Sequence, residues 1–594
     1  MDFYGFYTGK IFDAYEWLGA HYTKENTTFR TFAPQAQRVE LVLEDRVIPM
    51  EKVYNGQFYE AVVDDLLSGS KYEYRIYSHG RYTDHCDPYG NAMELRPDHK
   101  SIVCDMNDYM FSDKDWMKKR SNMKNKPLNI YEIHAGSFKK LGNRPDDWYD
   151  YEQLGELLIP YLKENGYNYV EFLPLCEHPS DESWGYQTTG YFAPTSRYGT
   201  PNQLKKMIDK LHENGIGAIL DFVPVHFAVD AYGLYRYDGE ALYEYPSNDV
   251  GMSEWGSCNF MHSRGEVKSF LQSSANYWLK EFHFDGLRMD AISRIIFWQG
   301  DERRGVNSNA LDFVRTMNSE LKKMNPGIML IAEDSTSFKG ITHDNDHGGL
   351  EFDYKWDLGW MNDTLNYFSM APAKRSENYH KLTFSMMYFG DENYLLPLSH
   401  DEVVHCKGTI VNKMYGSDSE KLSQARALYM YMMAHPGKKL NFMGNELAQL
   451  REWDEKRELD FDLLSKPEHR MFGEYIKELN RIYLNEDAMY EQDYEKEGFE
   501  WADCSQEQRL IYAMIRSSKK EKLLAVFNFS NVEQKNYQLK IGDLGKAEIL
   551  LCSDSRQYGG NTDNDAQLFS IKDEMIEFQL PAYSGMILRI GNAV

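Results

Sequence analysis

Arg288 and Asp290, in the stretch HFDGLRMDAIS (283–293), are the residues of this chain best placed for covalent chemistry. Hydrophobic Phe284, Leu287 and Met289 interleave with Asp285, Arg288 and Asp290, and the two-residue period of a strand puts Arg288 and Asp290 on one face. An adjacent guanidinium favours the ionised carboxyl and pushes its pKa down, and an ionised carboxylate is what a covalent nucleophile requires. A purely structural ion pair at a strand end looks the same in sequence. Three further stretches carry ionisable residues at a comparable place: Asp221 and His226 in DFVPVH, Glu333 in AEDST, and His400 and Asp401 in LSHDE. The carboxylates Asp290, Glu333 and Asp401 offer a nucleophile, an acid/base and a third polar stabiliser, more than the minimum for glycoside cleavage with retention. The apolar run MLIA before Glu333 suits a carboxyl that must hold a proton for a leaving oxygen.

The elements that must position these residues follow from the pattern after Leu128, where short apolar runs alternate with helical ones. Eight candidate strands are NIYEIH, YNYVEFLP, IGAILDFVPVH, FDGLRMDA, IMLIAED, EFDYKW, YLLPLSHDE and KLNFMGNE. Between them, Thr200 with Pro201 and Gln203 predicts a capped helix start, Leu204, Met207, Ile208 and Leu211 its apolar face, and Asn214-Gly215 its end. Val267, Phe270, Leu271, Ala275, Trp278, Leu279 and Phe282 form the stripe of another helix, whereas the interval from Glu333 to Glu351 has the weakest helical signal. Eight strands alternating with helices predict a (β/α)8 barrel over 128–494, whose working residues lie at the C-terminal strand ends. Asp221 and His226 are expected at the third strand end, Arg288 and Asp290 at the fourth, Glu333 at the fifth, and His400 and Asp401 at the seventh. Several ionisable groups converging on one mouth are costly for a barrel with no chemistry to perform.

Residues 1–105 read as an N-terminal β-sandwich (FRTFAP, RVELVLE, FYEAVV, KYEYRIYS), 106–127 as a lysine-rich linker, and 495–594 as a C-terminal all-β domain. A chain of 594 residues with net charge −26 has no basic face for nucleic acid or anionic membrane, and its longest apolar runs are far too short to span a bilayer. Seven cysteines without CxxC spacing favour reduced thiols and a cytoplasmic setting. The 43 tyrosines suit sugar stacking, though also ordinary interfaces. Asp221 and His226 lack the tight cluster a metal needs, so neither metal nor cofactor is expected. No GxxxxGK[ST] phosphate loop and no GxSxG nucleophile elbow is present.

DFVPVH, GLRMDA, AEDST and LSHDE resemble the four signature regions of the α-amylase superfamily (glycoside hydrolase family 13). Longer stretches are similar to its glycogen (1,4-α-glucan) branching enzymes: WLGAH, WGYQTTGYFAPTSRYGTP, KWDLGWMNDTLNYF and NFMGNELAQLREW. The resemblance implies Asp290 as nucleophile, Glu333 as acid/base and Asp401 as transition-state stabiliser. It implies Arg288, Asp221, His226 and His400 as residues orienting the nucleophile and holding the donor glucose, with Tyr186 stacking on that sugar. It further implies an α-glucan partner, a carbohydrate-binding type of N-terminal sandwich, and transfer of a cleaved α-1,4 chain to a glucan 6-hydroxyl. A hydrolase of the same superfamily and a non-catalytic glucan-binding protein are the alternatives, and oligomeric state is not legible. Two stretches depart from the usual pattern: AEDST stands where AEEST is commoner, and IIFWQGDERRGVN follows the nucleophile.

Overall fold

The computed structural model describes residues 1–542, 546–563, 568–571 and 574–591. Eight parallel strands close into a barrel in chain order. They are β1 (Asn129–Ile133), β2 (Tyr169–Phe172), β3 (Gly217–Phe222), β4 (Gly286–Met289), β5 (Met329–Ala332), β6 (Tyr354–Trp356), β7 (Tyr394–Leu398) and β8 (Lys438–Phe442), with β8 pairing back onto β1. Every stretch predicted as a barrel strand contributes one.

Parallel neighbours need a crossover, and six of the seven are helical: Tyr151–Asn165, Pro201–Glu213, Gly265–Glu281, Ser308–Met324, Leu358–Ser369 and Asp418–Ala434, with a further helix, Pro467–Asn485, after β8. The Thr200 capping box forms with both its reciprocal bonds, and the predicted apolar faces of Pro201–Glu213 and Gly265–Glu281 are buried. The β5–β6 crossover carries only a 3-10 turn, Asn345–His347, as its weak helical signal implied. Glu392 stands in for helical hydrogen bonding there, its Oε1 accepting from the amides of Gly340 (2.6 Å) and Ile341 (2.9 Å).

Alternation along each strand divides the two faces of the barrel wall. Tyr131, Val170, Leu220, Leu287 and Leu330 face the helices. Ile130, Tyr169, Ile219, Ile331, Trp356 and Leu440 form a separate apolar plug inside. One inward position further along β1 to β4, the apolar residues give way to Glu132, Glu171, Asp221 and Arg288; Glu132 pairs in register with Glu171, and Asp221 with Arg288. Gly286 is required by close packing, since a Cβ there would meet the Met329 carbonyl oxygen at 2.5 Å.

A two-sheet N-terminal sandwich precedes the barrel, with strand orders Gly19–Tyr22, Asn26–Phe32, Phe58–Asp64, Glu51–Val53 and Val47–Pro49, Arg38–Leu43, Lys71–Ser78, Arg81–His85. It docks through buried polar contacts, Thr31 Oγ1 to Tyr237 OH (2.6 Å) and Asn276 Nδ2 donating to Phe12 O (2.9 Å). After the barrel lie a six-stranded sheet and a two-stranded one. Asp493 locks them to β8, accepting from Arg516 (2.7 Å) and Lys438 (2.9 Å), all fully buried. No helix among the described residues is long and apolar enough to cross a membrane.

The passage read as a linker is buckled to the closed end of the barrel instead. Its helix Lys114–Lys119 follows Asp113, whose carboxylate accepts from His212 (2.7 Å) and His283 (2.8 Å), and Trp116 Nε1 donates to Asp285 (2.8 Å) just before β4. Burial lowers the pKa of His212, but Asp285 and Asp113 raise it further, to about 9. A histidine raised in the fold contributes stability that is full below its ordinary 6.5 and is lost as pH climbs through 9. The melting midpoint therefore declines between pH 6.5 and 9, and His212→Gln flattens that decline; an unaltered slope in the variant would show that His212 carries no charge.

Candidate active site

Arg288 sits at the end of β4 with its side chain 1% exposed and its guanidinium 4.4 Å over the Trp356 ring of β6. Its Nη1 donates to Asp221 of β3 (2.6 Å) and to Asp290 (3.1 Å), and its Nη2 donates to Glu333 (2.9 Å). Strand pairing brings these groups together, because Asp221 is the register partner of Arg288 while Asp290 and Glu333 each stand one residue beyond their strands. Ala291 then turns the chain with φ +50°, a conformation costing a non-glycine residue roughly 1–2 kcal/mol, and so aims its N–H at Glu333 Oε2 (3.0 Å).

His400 and Asp401 lie in a 3-10 turn directly after β7. Glu132 of β1 grips His400 twice, accepting from the backbone N–H (2.8 Å) and from Nδ1 (2.6 Å). The other ring nitrogen is 3.6 Å from Asp401 and 3.3 Å from the Tyr186 hydroxyl. Against burial, which lowers it, Asp401 and Glu132 raise the His400 pKa to about 10, so the ring is an imidazolium. Burial raises half-exposed Asp401, but His400, Arg288, Lys407 and His405 together more than offset it and hold the carboxyl below its usual range. Tyr186 comes from the loop after β2; its hydroxyl donates to Asp221 and its ring stacks on His400.

Two expectations are corrected. His226 does not end the third strand: β3 stops at Phe222, and His226 opens a separate two-stranded ribbon with Cys258–Asn259, reaching the same cleft from there. Burial lowers its pKa to about 4, leaving a neutral ring 5.2 Å from Trp255. Nor does Arg288 hold Asp290 low. Burial raises Asp290 strongly, Arg288 opposes, and Glu333, Asp221 and Asp401 add repulsion. One guanidinium shared among three carboxylates is too little charge to keep all of them ionised. Asp221 is likewise raised, to about 6, by burial against the pull of Arg288.

Asp290, Glu333, Asp401, His226, His400 and Tyr186 line one cleft of about 340 Å³, with Trp184, Trp255 and His405 on its walls. Arg288 and Asp221 lie beneath it. Glu132, Trp356 and the tryptophans were missed in sequence; for Glu132 the signal was a carboxylate at an inward position of NIYEIH. Both departures from the usual pattern are built into the wall. Asp334 pairs with Lys355 of β6 (2.8 Å), while Arg294 packs 4.8 Å over the Trp255 ring and Gln299 Nε2 donates to the Asp249 (2.9 Å) and Met252 (2.8 Å) carbonyls. Among the described residues no cluster of three or more His, Cys, Asp or Glu is arranged to hold a metal.

Comparison with known proteins bears on this architecture. Residues 157–237 and 255–529 match the family described as alpha amylase, catalytic domain. The chain belongs to the α-amylase family. Flanking matches are carbohydrate-binding module 48 (isoamylase N-terminal domain) at 17–90 and the alpha amylase C-terminal all-beta domain at 501–591. Family members similar to this chain include the 1,4-alpha-glucan branching enzyme GlgB of Fusobacterium nucleatum, 40% identical over 99% of this chain and 98% of that one. The enzyme of the same name from Bacillus caldolyticus is 41% identical over 94% of this chain and 86% of its own. A pullulanase complexed with maltotetraose from Anoxybacillus shares the fold, with TM-score 0.75 at 18% identity over 100% of this chain and 89% of that one.

Removing the cation at the centre of these carboxylates has a signed consequence. Arg288→Met leaves buried carboxylates uncompensated and lowers stability by about 3–5 kcal/mol. Protonation relieves that repulsion, so the deficit shrinks as pH falls, and the variant's melting midpoint rises from pH 8 to 5 more steeply than that of the wild type. A parallel pH profile would mean that Arg288 is not what balances Asp221, Asp290 and Glu333.

Proposed function

We propose that this chain is a 1,4-α-glucan branching enzyme acting by retaining double displacement. The observation that carries the reading is one guanidinium bridging Asp290 and Glu333, in a chain about 40% identical to enzymes of that name over nearly its whole length. That bridge holds the two carboxyl groups close, as retention requires. In the first step an Asp290 oxygen attacks the anomeric carbon, the α-1,4 bond breaks, and Glu333 delivers its proton to the departing 4-oxygen. In the second, Glu333 takes the proton of a glucan 6-hydroxyl, that oxygen attacks the anomeric carbon, and the bond to Asp290 breaks, leaving an α-1,6 branch and the starting enzyme.

The remaining site residues fit this sequence. Asp401 and the His400 imidazolium face the ring that becomes oxocarbenium-like, while Asp221, Arg288 and His226 border the donor sugar and Tyr186 stacks against it. Trp184, Trp255 and His405 offer flat faces to glucan chains in the cleft. The substrate is a neutral α-glucan, consistent with the net charge of −26. We place the enzyme in the cytoplasm, where Cys86, Cys104, Cys176, Cys258, Cys406 and Cys504, which form no disulfide, remain reduced.

Incubation with amylose, followed for iodine colour, reducing ends and α-1,6 linkages together, tests the proposal. Falling colour and new α-1,6 linkages without a matching rise in reducing ends are expected; a stoichiometric rise in reducing ends would overturn transfer in favour of hydrolysis. Asp290→Ala abolishes both while leaving the fold intact by circular dichroism, and appreciable remaining transfer would mean another nucleophile.

A further inference from the structure

Glu171, in the middle of β2, is fully buried beside its register partner Glu132, yet the two are treated very differently by the fold. Both Glu132 oxygens are taken by His400. Neither Glu171 oxygen has a hydrogen-bond partner. Asp221 Oδ1, Arg288 Nε and Trp356 Nε1 are buried and unpartnered as well, and all of them belong to the inward-facing set of the barrel. Buried polar atoms are seldom left unpaired, so an orphan cluster of this kind signals a proton or a water that completes it.

Proton counting decides which. An ionised carboxylate only accepts, so an ionised Glu171 has nothing to offer Asp221 Oδ1, whereas a protonated one supplies a donor. The charged groups acting on Glu171 are Glu132 of β1, Asp221 of β3, Arg288 of β4 and His400 after β7. Arg288 and His400 are already committed to Asp221, Asp290, Glu333, Glu132 and Asp401, which leaves no cation for another negative charge. Burial first, then Glu132 and Asp221, raise the Glu171 pKa well above the usual carboxylate range.

We propose that Glu171 is a neutral carboxylic acid that donates its proton toward Asp221 Oδ1 and so serves as a positioning residue for Asp221, Arg288 and, through them, the nucleophile Asp290. Asp221 is the residue on which Arg288 Nη1 and the Tyr186 hydroxyl both converge, so holding its second oxygen fixes the aim of both. Glu171 touches neither substrate nor reacting atoms. Its contribution to rate rests on the reading of Asp290 as nucleophile; its protonation does not.

Two variants test this. Glu171→Gln keeps a neutral side chain with a donor, and Glu171→Leu removes the donor. Denatured at pH 7 without buffer, under a pH-stat, the wild type releases about one proton more than Glu171→Gln, because the acid ionises once exposed to water. Followed as loss of α-1,4 linkages, a readout that serves for transfer and hydrolysis alike, Glu171→Gln keeps kcat within about twofold of the wild type. Glu171→Leu lowers kcat about tenfold or more with KM nearly unchanged, as expected when an orphaned acceptor loosens the nucleophile rather than the substrate. Equal proton release by the wild type and Glu171→Gln would overturn the neutral acid. Glu171→Gln as slow as Glu171→Leu, or Glu171→Leu as fast as the wild type, would overturn the positioning role. Should Glu171→Leu fail to fold, the proton count and Glu171→Gln still decide. A wild type that breaks glucan without forming branches would refute the transferase and leave these outcomes readable.

Discussion

The fold of this site depends on one buried cation. Arg288 is stripped of water between β3 and β5 and is the direct partner of Asp221, Asp290 and Glu333, with Trp356 beneath its plane. A lysine has neither the fork that reaches Asp290 and Glu333 from separate nitrogens nor a flat face to lay on an indole. The arrangement does not neutralise its surroundings. Carboxylates outnumber cations, so burial and mutual repulsion raise Asp290 and Asp221 above the usual carboxylate range despite Arg288. A second cation, the His400 imidazolium, owes its charge to Asp401 and Glu132 and its tilt to Glu132.

Around this charge cluster the barrel acts as an insulator with one opening. The apolar plug of Ile130, Tyr169, Ile219, Ile331, Trp356 and Leu440 closes it from below and denies water to the underside of the site. Below the plug, Asp113, His212, His283 and Asp285 fasten the strap of residues 106–127 where β4 begins, so the strand carrying Arg288 is held at both ends by ionic contacts. On the open side, the loops after β2, β3 and β7 raise walls of tryptophan and histidine. The segment after Asp290 is a packed part of that wall: Gln299 ties it to the Asp249 and Met252 carbonyls, and Glu302 to Ser337. Water and a sugar hydroxyl compete for the same glycosyl-enzyme, and walls of this kind bias the outcome by what they let approach.

Much of the barrel was legible because its strands are short apolar runs separated by capped helices, and the one crossover with a weak helical pattern is the one without an α-helix. Arg288 and Asp290 were legible through the two-residue period of β4. His226 was misplaced because the apolar run continues through DFVPVH, while the ladder ends at Phe222 and the chain leaves to pair with Cys258–Asn259. The strap reads as a linker in sequence because its lysines dominate the composition. What anchors it are Asp113 and Trp116, whose partners His212 and Asp285 lie 99 and 169 residues away in sequence.

By itself the sequence determined which groups are available and, for Arg288, Asp290, Glu333, His400 and Asp401, which strand end they occupy, since alternation along a strand and the placement of caps are local properties. It did not determine their charge. Whether Asp290 is held low by Arg288 or raised by burial among Glu333, Asp221 and Asp401, whether His400 is an imidazolium, and whether Glu132 and Glu171, alike in register and burial, are alike in bonding were decided only by closure of the barrel. Closure brings β1, β2 and β3 against β4, β5 and the turn after β7, and it sets how many carboxylates must share one guanidinium out of reach of water. Protonation is a property of that shared volume rather than of any one residue's neighbours in the chain.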